Sequence, residues 1–224
     1  RLYHYYKKEL DNLGLTDLFH KTEMPLSVIL AEMELGGIPI DRSVLDSFGE
    51  ELAEELESIK KKIYDLCGKE FNINSTKQLQ QVLFEERKLT PVKKTKTGYS
   101  TDTSVLETLA KEDPVPELVL RHRTMTKLKS TYVDALPKMI NEDTGRIHTR
   151  LVQTGTATGR LSSRDPNLQN IPIKDEEGRR IRKAFIPDKG CVFLSADYSQ
   201  IELVLLAHLS GDKQLSTAFK EGED

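Results

Sequence analysis

One carboxylate is the strongest candidate for chemistry in this 224-residue sequence. Asp197 follows the apolar run Cys191–Leu194, which predicts a buried strand, and it precedes the apolar stretch Ile201–Leu209, which predicts a mostly buried helix. A carboxylate at the carboxyl end of a strand is well placed to bind a divalent cation, because Mg²⁺ takes oxygen ligands and uses few protein carboxylates. The backbone carbonyl of Tyr198 could supply a second oxygen.

The same stretch also has a purely structural interpretation. Ser199 and Glu202 are three positions apart, which is the spacing of a capping box at the start of a helix. In that interpretation Ser199 is the N-cap, Glu202 is its partner, and Asp197 has no chemical role. Position alone leaves both interpretations open.

A second candidate site is the irregular segment 154–172, which is rich in small residues, hydroxyls, arginines and amides. Glycine permits close approach of the backbone to a ligand. Arginine, asparagine and glutamine carry the donors that reach minor-groove acceptors and sugar oxygens of nucleic acid. A glycine-rich loop that only covers a sheet is the alternative, and the density of donors favours the binding site.

The charge distribution indicates a polyanionic partner. The whole chain has 33 Lys and Arg against 36 Asp and Glu, a net charge of −3. Residues 120–190, however, contain fifteen basic and eight acidic side chains, whereas residues 32–66 contain four basic and ten acidic ones. A basic block in an acidic chain suits a surface that displaces counterions from phosphates. Charges scattered over solvated faces remain the alternative.

Composition restricts the protein class. Hydrophobic residues make up 37% and charged residues 31%, and no apolar run approaches the ~18 residues of a membrane span. The amino-terminal residues lack the apolar core of a signal peptide. Cys67 and Cys191 match neither a disulfide framework nor a zinc spacing. We therefore expect a soluble cytoplasmic protein without a membrane partner or a structural metal.

Two long helices are predicted in the first part of the chain. Apolar residues from Leu45 to Leu66 recur every three or four positions, which predicts one long helix with Asp41 as its N-cap and Gly68 just beyond its end. A stripe of this length is also compatible with a homo-oligomeric coiled coil. A second long helix is predicted from about Pro116, with His122 packed in its core stripe rather than acting as a ligand.

Shorter elements complete an α+β order of helices first and strands last. The first residues predict a helix that ends near Gly14, and residues 25–35 predict another that ends at Gly36 and Gly37. Ser75 to Gln78 and Ser104 to Glu107 have capping-box spacing before two short helices. Residues 147–154 predict a strand.

Several motifs, in one order along the chain, resemble those of the family A DNA polymerases. The runs DYSQIEL at 197–203 and AHLS at 207–210 look like motif A of that family, and TATGRLSS at 156–163 with DPNLQNIP at 165–172 resembles the segment before it. KLKSTY at 127–132, GRIHT at 145–149 and GRRIRKAF at 178–185 match in the same order. NSTKQL at 74–79 fits the thumb of Klenow-type members.

The resemblance implies template-directed DNA synthesis, in which a primer 3′-OH attacks the α-phosphate of a deoxynucleoside triphosphate by a two-metal mechanism. Asp197 matches the carboxylate that binds both Mg²⁺ ions, and the Tyr198 carbonyl matches the backbone ligand. Glu202 matches the steric gate against a ribose 2′-OH. Gln200 lies beside that nucleotide site and Ile201 packs under it.

The resemblance also implies a set of residues that hold the primer–template. Arg160 matches the arginine that reaches the minor groove at the primer terminus. The other matched positions lie in three places. They are the second long helix, an amide-rich loop within the segment 154–172, and a basic thumb tip within residues 72–101. The residues are Arg123, Lys127, Asn167, Gln169, Asn170, Asn72, Asn74, Ser75, Lys93 and Lys94.

The implied architecture is a long-helix thumb followed by the first part of a mixed or antiparallel β palm. Residues 1–24 correspond to the end of a 3′–5′ exonuclease-like domain, residues 25–140 to the thumb, and residues 141–224 to the amino-terminal part of the palm with motif A. We expect a monomeric, nucleoid-associated cytoplasmic enzyme as the parent protein. The 224 residues alone should be inactive, because the family's fingers and second catalytic carboxylate are not among them. A non-catalytic module that binds duplex DNA is the alternative.

Overall fold

The computed structural model describes residues 1–95, 98–173 and 175–222. The described chain separates into two compact units, Arg1–Ile186 and Pro187–Asp224. No helix in the described ranges is both long and apolar enough to cross a membrane.

In the described part of the chain, ten α-helices account for most of the secondary structure. In chain order they are α1 Leu2–Asn12, α2 Thr16–Leu18, α3 Met24–Gly36, α4 Arg42–Cys67, α5 Thr76–Gln80, α6 Thr103–Leu109, α7 Pro114–Leu128, α8 Glu176–Lys183, α9 Ile201–Ser210 and α10 Lys213–Glu221. The π-helical turns Phe19–Glu23, Gln81–Glu86 and Lys129–Val133 extend α2, α5 and α7, and the 3₁₀ turn Leu136–Met139 follows the last of them.

The described residues include seven short strands, which form small antiparallel sheets. They are β1 Ile38–Pro39, β2 Lys94–Thr95, β3 Gly98–Tyr99, β4 Ile140–Asn141, β5 Arg146–Ile147, β6 Arg150–Val152 and β7 Ser162–Arg164. The first sheet has the order β1-β5-β4, and β2-β3 and β6-β7 are two-stranded. Long helices with small antiparallel sheets confirm the predicted α+β class.

Helix α4 organises the core of the larger unit. Asp41 caps it by accepting a hydrogen bond from the Ser43 amide at 2.9 Å, and Gly68 ends it in the left-handed conformation, as predicted. Leu45, Leu52 and most of the predicted stripe are buried against other elements of the same chain, α7 above all, whereas Leu56 is half-buried and Leu66 is 43% exposed. The coiled-coil alternative is therefore wrong, because the stripe that would join two copies is already occupied.

Two apolar clusters lie along α4. The amino-terminal half packs with the end of α7, β5 and α8, and the carboxyl-terminal half packs with α5, α6 and the start of α7. His122 lies in α7 with 7% of its surface exposed, which confirms the prediction of a packed histidine.

Three differences from the predicted elements have a physical reason, two in a local polar contact and one in strand pairing. Asp102, not Ser104, caps α6, because its carboxylate accepts the Val105 amide hydrogen at 3.0 Å. Helix α7 begins at Pro114, two residues earlier than predicted, because Asp113 accepts a hydrogen bond from Val115. The single strand predicted over residues 147–154 is divided between β5 and β6, which pair in different sheets.

The smaller unit differs most from the predictions. The stretch Cys191–Leu194 forms no strand, and Val192 and Leu194 are 86% and 92% exposed. A buried strand requires neighbouring strands for its backbone, and none of the described strands pairs with it. Helix α9 forms as predicted, but Ala207 is its one buried residue, so the prediction of a mostly buried helix is also wrong.

Candidate nucleic-acid interface

A cleft of about 800 Å³ brings part of the predicted DNA-binding set together in the larger unit. Lys127, in the last turn of α7, lies on one side, and Asn167 and Asn170 lie on the other, in the loop after β7. The cleft is also lined by Tyr132 and Arg164. A flexible ammonium facing two amides is a donor-rich arrangement that suits phosphate and sugar oxygens.

The two sides of this cleft are joined directly. The hydroxyl of Tyr132, in the turn that extends α7, donates a hydrogen bond to the carbonyl oxygen of Asn170. Burial raises the pKa of that tyrosine, so its hydroxyl stays protonated and able to donate. The loop that carries Asn167 and Asn170 is thus held against the helix that carries Lys127.

Ser163 fixes the start of the same loop. This serine is 2% exposed, and its hydroxyl lies 2.7 Å from the Thr149 hydroxyl and accepts the Leu168 amide hydrogen at 3.0 Å. The side chain of Gln169 accepts a hydrogen bond from the Ser163 amide and donates one to the Leu161 carbonyl, each at 3.1 Å. Gln169 is predicted to bind DNA, but the oxygen and the nitrogen of its side-chain amide are both hydrogen-bonded within the loop itself.

Arg160 lies apart from the residues that line the cleft. It is exposed in the turn before β7, where its carbonyl oxygen accepts a hydrogen bond from the Thr156 hydroxyl at 2.7 Å. Its guanidinium is therefore carried on a tight turn at the surface of the larger unit.

Arg123 is half-buried and makes an internal contact. Its guanidinium donates to the carbonyl and to the hydroxyl of Thr101, at 2.5 and 3.3 Å. Burial lowers the pKa of this arginine. The contact ties α7 to the segment before α6, so Arg123 has a structural role whether or not it also meets DNA.

The predicted thumb tip forms a set of local turns and caps. Asn72 accepts the Asn74 amide hydrogen at 3.0 Å, and Ser75 is the N-cap of α5, as predicted. Asn74 is exposed, as is Lys94 on β2. These side chains present donors to solvent at one end of the larger unit.

Lys93 is already paired within this tip. Its ammonium lies 3.0 Å from the carboxylate of Asp102. The pKa of Asp102 is held well below its usual range, first by the hydrogen bond from the Val105 amide and then by Lys93. Lys94 has no carboxylate partner among the residues that the structure describes, so it is the better candidate of the two for a phosphate.

The candidate catalytic residues lie in the smaller unit. Asp197 and Tyr198 are exposed, and the Tyr198 amide donates to the Asp197 carboxylate at 2.9 Å. Gln200 has a left-handed backbone conformation, with φ +46°, and is the residue before α9. The capping-box interpretation is thus wrong in naming Ser199 as the N-cap. Ile201 and Glu202 begin the helix.

The oxygen donors near Asp197 fit Mg²⁺ in kind but not in number. A carboxylate and a neighbouring backbone carbonyl are hard oxygen ligands of the type that Mg²⁺ takes. Within residues 1–95, 98–173 and 175–222, no three His, Cys, Asp or Glu side chains cluster closely enough to hold an ion. Asp197 is thus suited to be one ligand of a site that needs further oxygens.

Comparisons with known proteins agree on one family. The family model described as DNA polymerase family A matches residues 42–224. The chain is 52% identical, over its whole length, to DNA polymerase I of Treponema pallidum, and 55% identical over 207 residues to DNA polymerase I of Lactococcus lactis. It spans 22% and 24% of those two proteins, about a quarter of their length.

A solved structure has the same fold. It is the polymerase domain of Pol1 from M. smegmatis in complex with DNA primer-template and dNTP. The two chains are 45% identical with a TM-score of 0.88, over 97% of this chain and 38% of the other.

Proposed function

This chain belongs to DNA polymerase family A, and from that premise we propose that it grips primer–template DNA and supplies one catalytic carboxylate for template-directed DNA synthesis. Residues 25–140 serve as the thumb, residues 141–224 as the first part of the palm, and residues 1–24 as the end of an exonuclease-like domain. The reaction joins a primer 3′-OH to the α-phosphate of a deoxynucleoside triphosphate and releases pyrophosphate. The parent protein acts as a monomer on the nucleoid.

The cleft that contains Lys127, Asn167 and Asn170 is the observation that carries this proposal. Its donors come from two elements that the Tyr132–Asn170 hydrogen bond holds together. A donor set fixed in advance loses little side-chain entropy when it binds. The solved neighbour is a complex with DNA primer-template and dNTP, which supports DNA as the ligand.

Asp197 and the Tyr198 carbonyl are the residues of this chain that would hold Mg²⁺. Mg²⁺ bound there supplies positive charge that polarises phosphoryl oxygens and favours the ionised hydroxyl. Asp197 is exposed, so its carboxylate is available to such an ion. Gln200, Ile201 and Glu202 receive the nucleotide, with Glu202 excluding the ribose 2′-OH.

A chimera tests the catalytic role. This chain is exchanged for the matching segment of DNA polymerase I from Treponema pallidum, and primer extension is measured with Mg²⁺ and all four deoxynucleoside triphosphates. We expect the chimera to extend the primer, and Asp197→Asn to reduce the rate by about 10²–10³-fold, as for other removed transition-state contacts. Asp65→Asn, an equal charge change in the exposed part of α4, should extend normally. Extension by the Asp197→Asn chimera at the normal rate would contradict the assignment.

A non-catalytic DNA-binding module is the second candidate, favoured by the fact that the cleft lies wholly in the larger unit. We expect the 224-residue chain to bind a primer–template duplex in fluorescence anisotropy, with log K falling as log[salt] rises, but not to extend it. Lys127→Gln should reduce the salt slope by about one and Lys8→Gln should not. Primer extension by the chain alone would reject the module in favour of a complete enzyme.

A further inference from the structure

We infer that Arg150 and Arg164 form a second phosphate-binding site on the larger unit, which binds the backbone of the same DNA duplex beside the cleft of Lys127. This inference rests on the proposed function, because it names a further contact to the DNA that the cleft receives. None of the sequence motifs singles out this pair.

The two arginines are brought together by strand pairing. Arg150 in β6 is the direct antiparallel partner of Arg164 in β7. Directly opposed residues project from the same face of a sheet, with Cβ atoms about 5 Å apart. Two guanidinium groups are thus placed on one face of a hairpin, although the residues are fourteen positions apart in the chain.

Opposed like charges destabilise a hairpin unless something compensates them. Within the part of the chain that the structure describes, neither guanidinium makes a hydrogen bond or an ion pair. Glu34 lines a pocket together with both arginines, but its carboxylate accepts the Leu151 amide hydrogen of β6 instead. Asp165 also lines this pocket, and among the residues that the structure describes it makes no ion pair with either arginine. The two positive charges are therefore left for a ligand.

Arg164 connects this pair to the proposed DNA cleft. It lines the cleft of Lys127, Asn167 and Asn170, and it also lines a neighbouring pocket of about 450 Å³ with Arg150. Because Arg164 lines both the cleft and the neighbouring pocket, Lys127, Arg164 and Arg150 form a row of three cations. An extended polyanion can meet all three, whereas a single small anion cannot span two pockets.

The hairpin that carries the pair is rigid. The residue before Arg164 is the buried Ser163, whose hydroxyl is hydrogen-bonded to Thr149 and Leu168. Thr149, directly before Arg150, also donates to the carbonyl oxygens of Arg164 and Pro166, at 3.1 and 2.8 Å. Both arginines therefore extend from a backbone that is fixed before any ligand arrives, and arginine suits phosphate because its planar fork can donate twice.

The test is the salt dependence of duplex binding by the 224-residue chain, measured by fluorescence anisotropy. Arg150→Gln and Arg164→Gln should each lower the slope of log K against log[salt] by about one, and the double variant by about two, with the same loss for different DNA sequences. Lys8→Gln, one positive charge removed from the exposed face of α1, is the matched control and should leave the slope unchanged. Thermal melting followed by circular dichroism confirms that each variant is folded.

Each result separates this inference from the proposed function. If the unaltered chain binds DNA with a steep salt slope and both variants keep that slope, the second site is rejected and the proposed function stands. If the unaltered chain does not bind duplex DNA at all, both are rejected. Inorganic pyrophosphate is the further probe: variants that weaken pyrophosphate binding but keep the duplex slope would show that the pair binds a free anion, which also overturns the inference.

Discussion

Glu202 is the residue at which sugar selection should be decided. It lies in the first turn of α9, two residues after Gln200, whose left-handed backbone conformation turns the chain into the helix. A bulky side chain beside the ribose excludes a 2′-OH by steric overlap.

We therefore expect Glu202→Ala, in the chimera with the Treponema pallidum polymerase, to raise ribonucleotide incorporation by at least about tenfold. That is the scale of discrimination that pocket size alone achieves. The ratio of kcat/KM for ribo- and deoxynucleoside triphosphates measures it, and Glu221→Ala on α10 serves as the control. Unchanged selectivity with normal activity would show that Glu202 is not the residue that excludes the ribose 2′-OH.

His122 should make the stability of the larger unit depend on pH. Burial in the α4–α7 core lowers the pKa of its imidazole, and the charge of Lys60 lowers it further, while Glu57 acts in the opposite direction and Arg123 adds to the lowering. Its Nδ1 is buried without a hydrogen-bond partner among the described residues. The neutral ring is therefore the form that the core accepts.

Because the unfolded chain binds the His122 proton at the ordinary pKa of about 6.5 and the folded chain only at lower pH, stability should fall as pH drops below about 6.5. The slope from this one group is at most about 1.4 kcal/mol per pH unit. Melting temperatures between pH 7.5 and 5 measure it. His122→Gln should flatten the dependence and His20→Gln, at an exposed position, should not. Identical pH profiles would contradict the assignment.

At the scale of elements, the junction of α3 with β1 depends on one glycine. Gly37 ends α3 with φ +59°, and a Cβ there would lie 2.7 Å from the ring of His148. That ring cannot move aside easily, because its nitrogens are hydrogen-bonded to the Glu34 carbonyl and the Thr144 hydroxyl, each at 2.8 Å.

Gly68 provides a matched comparison at the end of α4. Its φ is +69°, but a Cβ there would meet nothing within 4 Å. Gly68→Ala should therefore lower the free energy of unfolding by about 1 kcal/mol, from backbone strain alone. Gly37→Ala should lower it by a further 1–3 kcal/mol, roughly, from overpacking. Urea unfolding curves compare the two variants. Equal decreases in the free energy of unfolding would show that the His148 ring moves aside at no energetic cost.

Charged side chains attach α8 to the two long helices. Arg180 makes a two-point contact with the Glu51 carboxylate of α4, at 2.6 and 2.7 Å, and lies 4.3 Å from the centre of the Phe48 ring. Arg121 of α7 reaches Glu177 of α8 at 2.7 Å. These contacts help to hold α8, whose Arg182 donates to carbonyl oxygens at the end of the amide-rich loop.

At the scale of the whole molecule, the two units should differ in stability. The larger unit buries the α4 stripe in two apolar clusters, whereas the described part of the smaller unit buries one residue, Ala207. Regions with few buried apolar contacts open with small free energies.

Hydrogen–deuterium exchange read by mass spectrometry tests this difference. Amides in the middle of α4 should be protected for far longer than those of residues 191–199, which form no helix or strand. Comparable protection in the two segments would mean that the smaller unit is held by more than the contacts described. The central residues of α7 are the internal reference, because they belong to the same core as α4.

What the sequence by itself determined was mostly local. The ends of α4 at Asp41 and Gly68, the cap of α5 at Ser75 and the packed face of His122 all follow from side chains within a few residues of the backbone they satisfy. Periodicity and capping are short-range properties, so one chain segment contains the information. The ordered motifs identified the family for the same reason, because each can be read within its own segment.

Only the tertiary structure decided which distant residues meet. The register that opposes Arg150 and Arg164, the Tyr132–Asn170 hydrogen bond and the internal use of Arg123 all depend on pairings between separate segments. The buried strand expected at Cys191–Leu194 was wrong for the same reason. An apolar run is a strand only where another strand lies beside it, because its backbone groups need partners that its own sequence cannot contain.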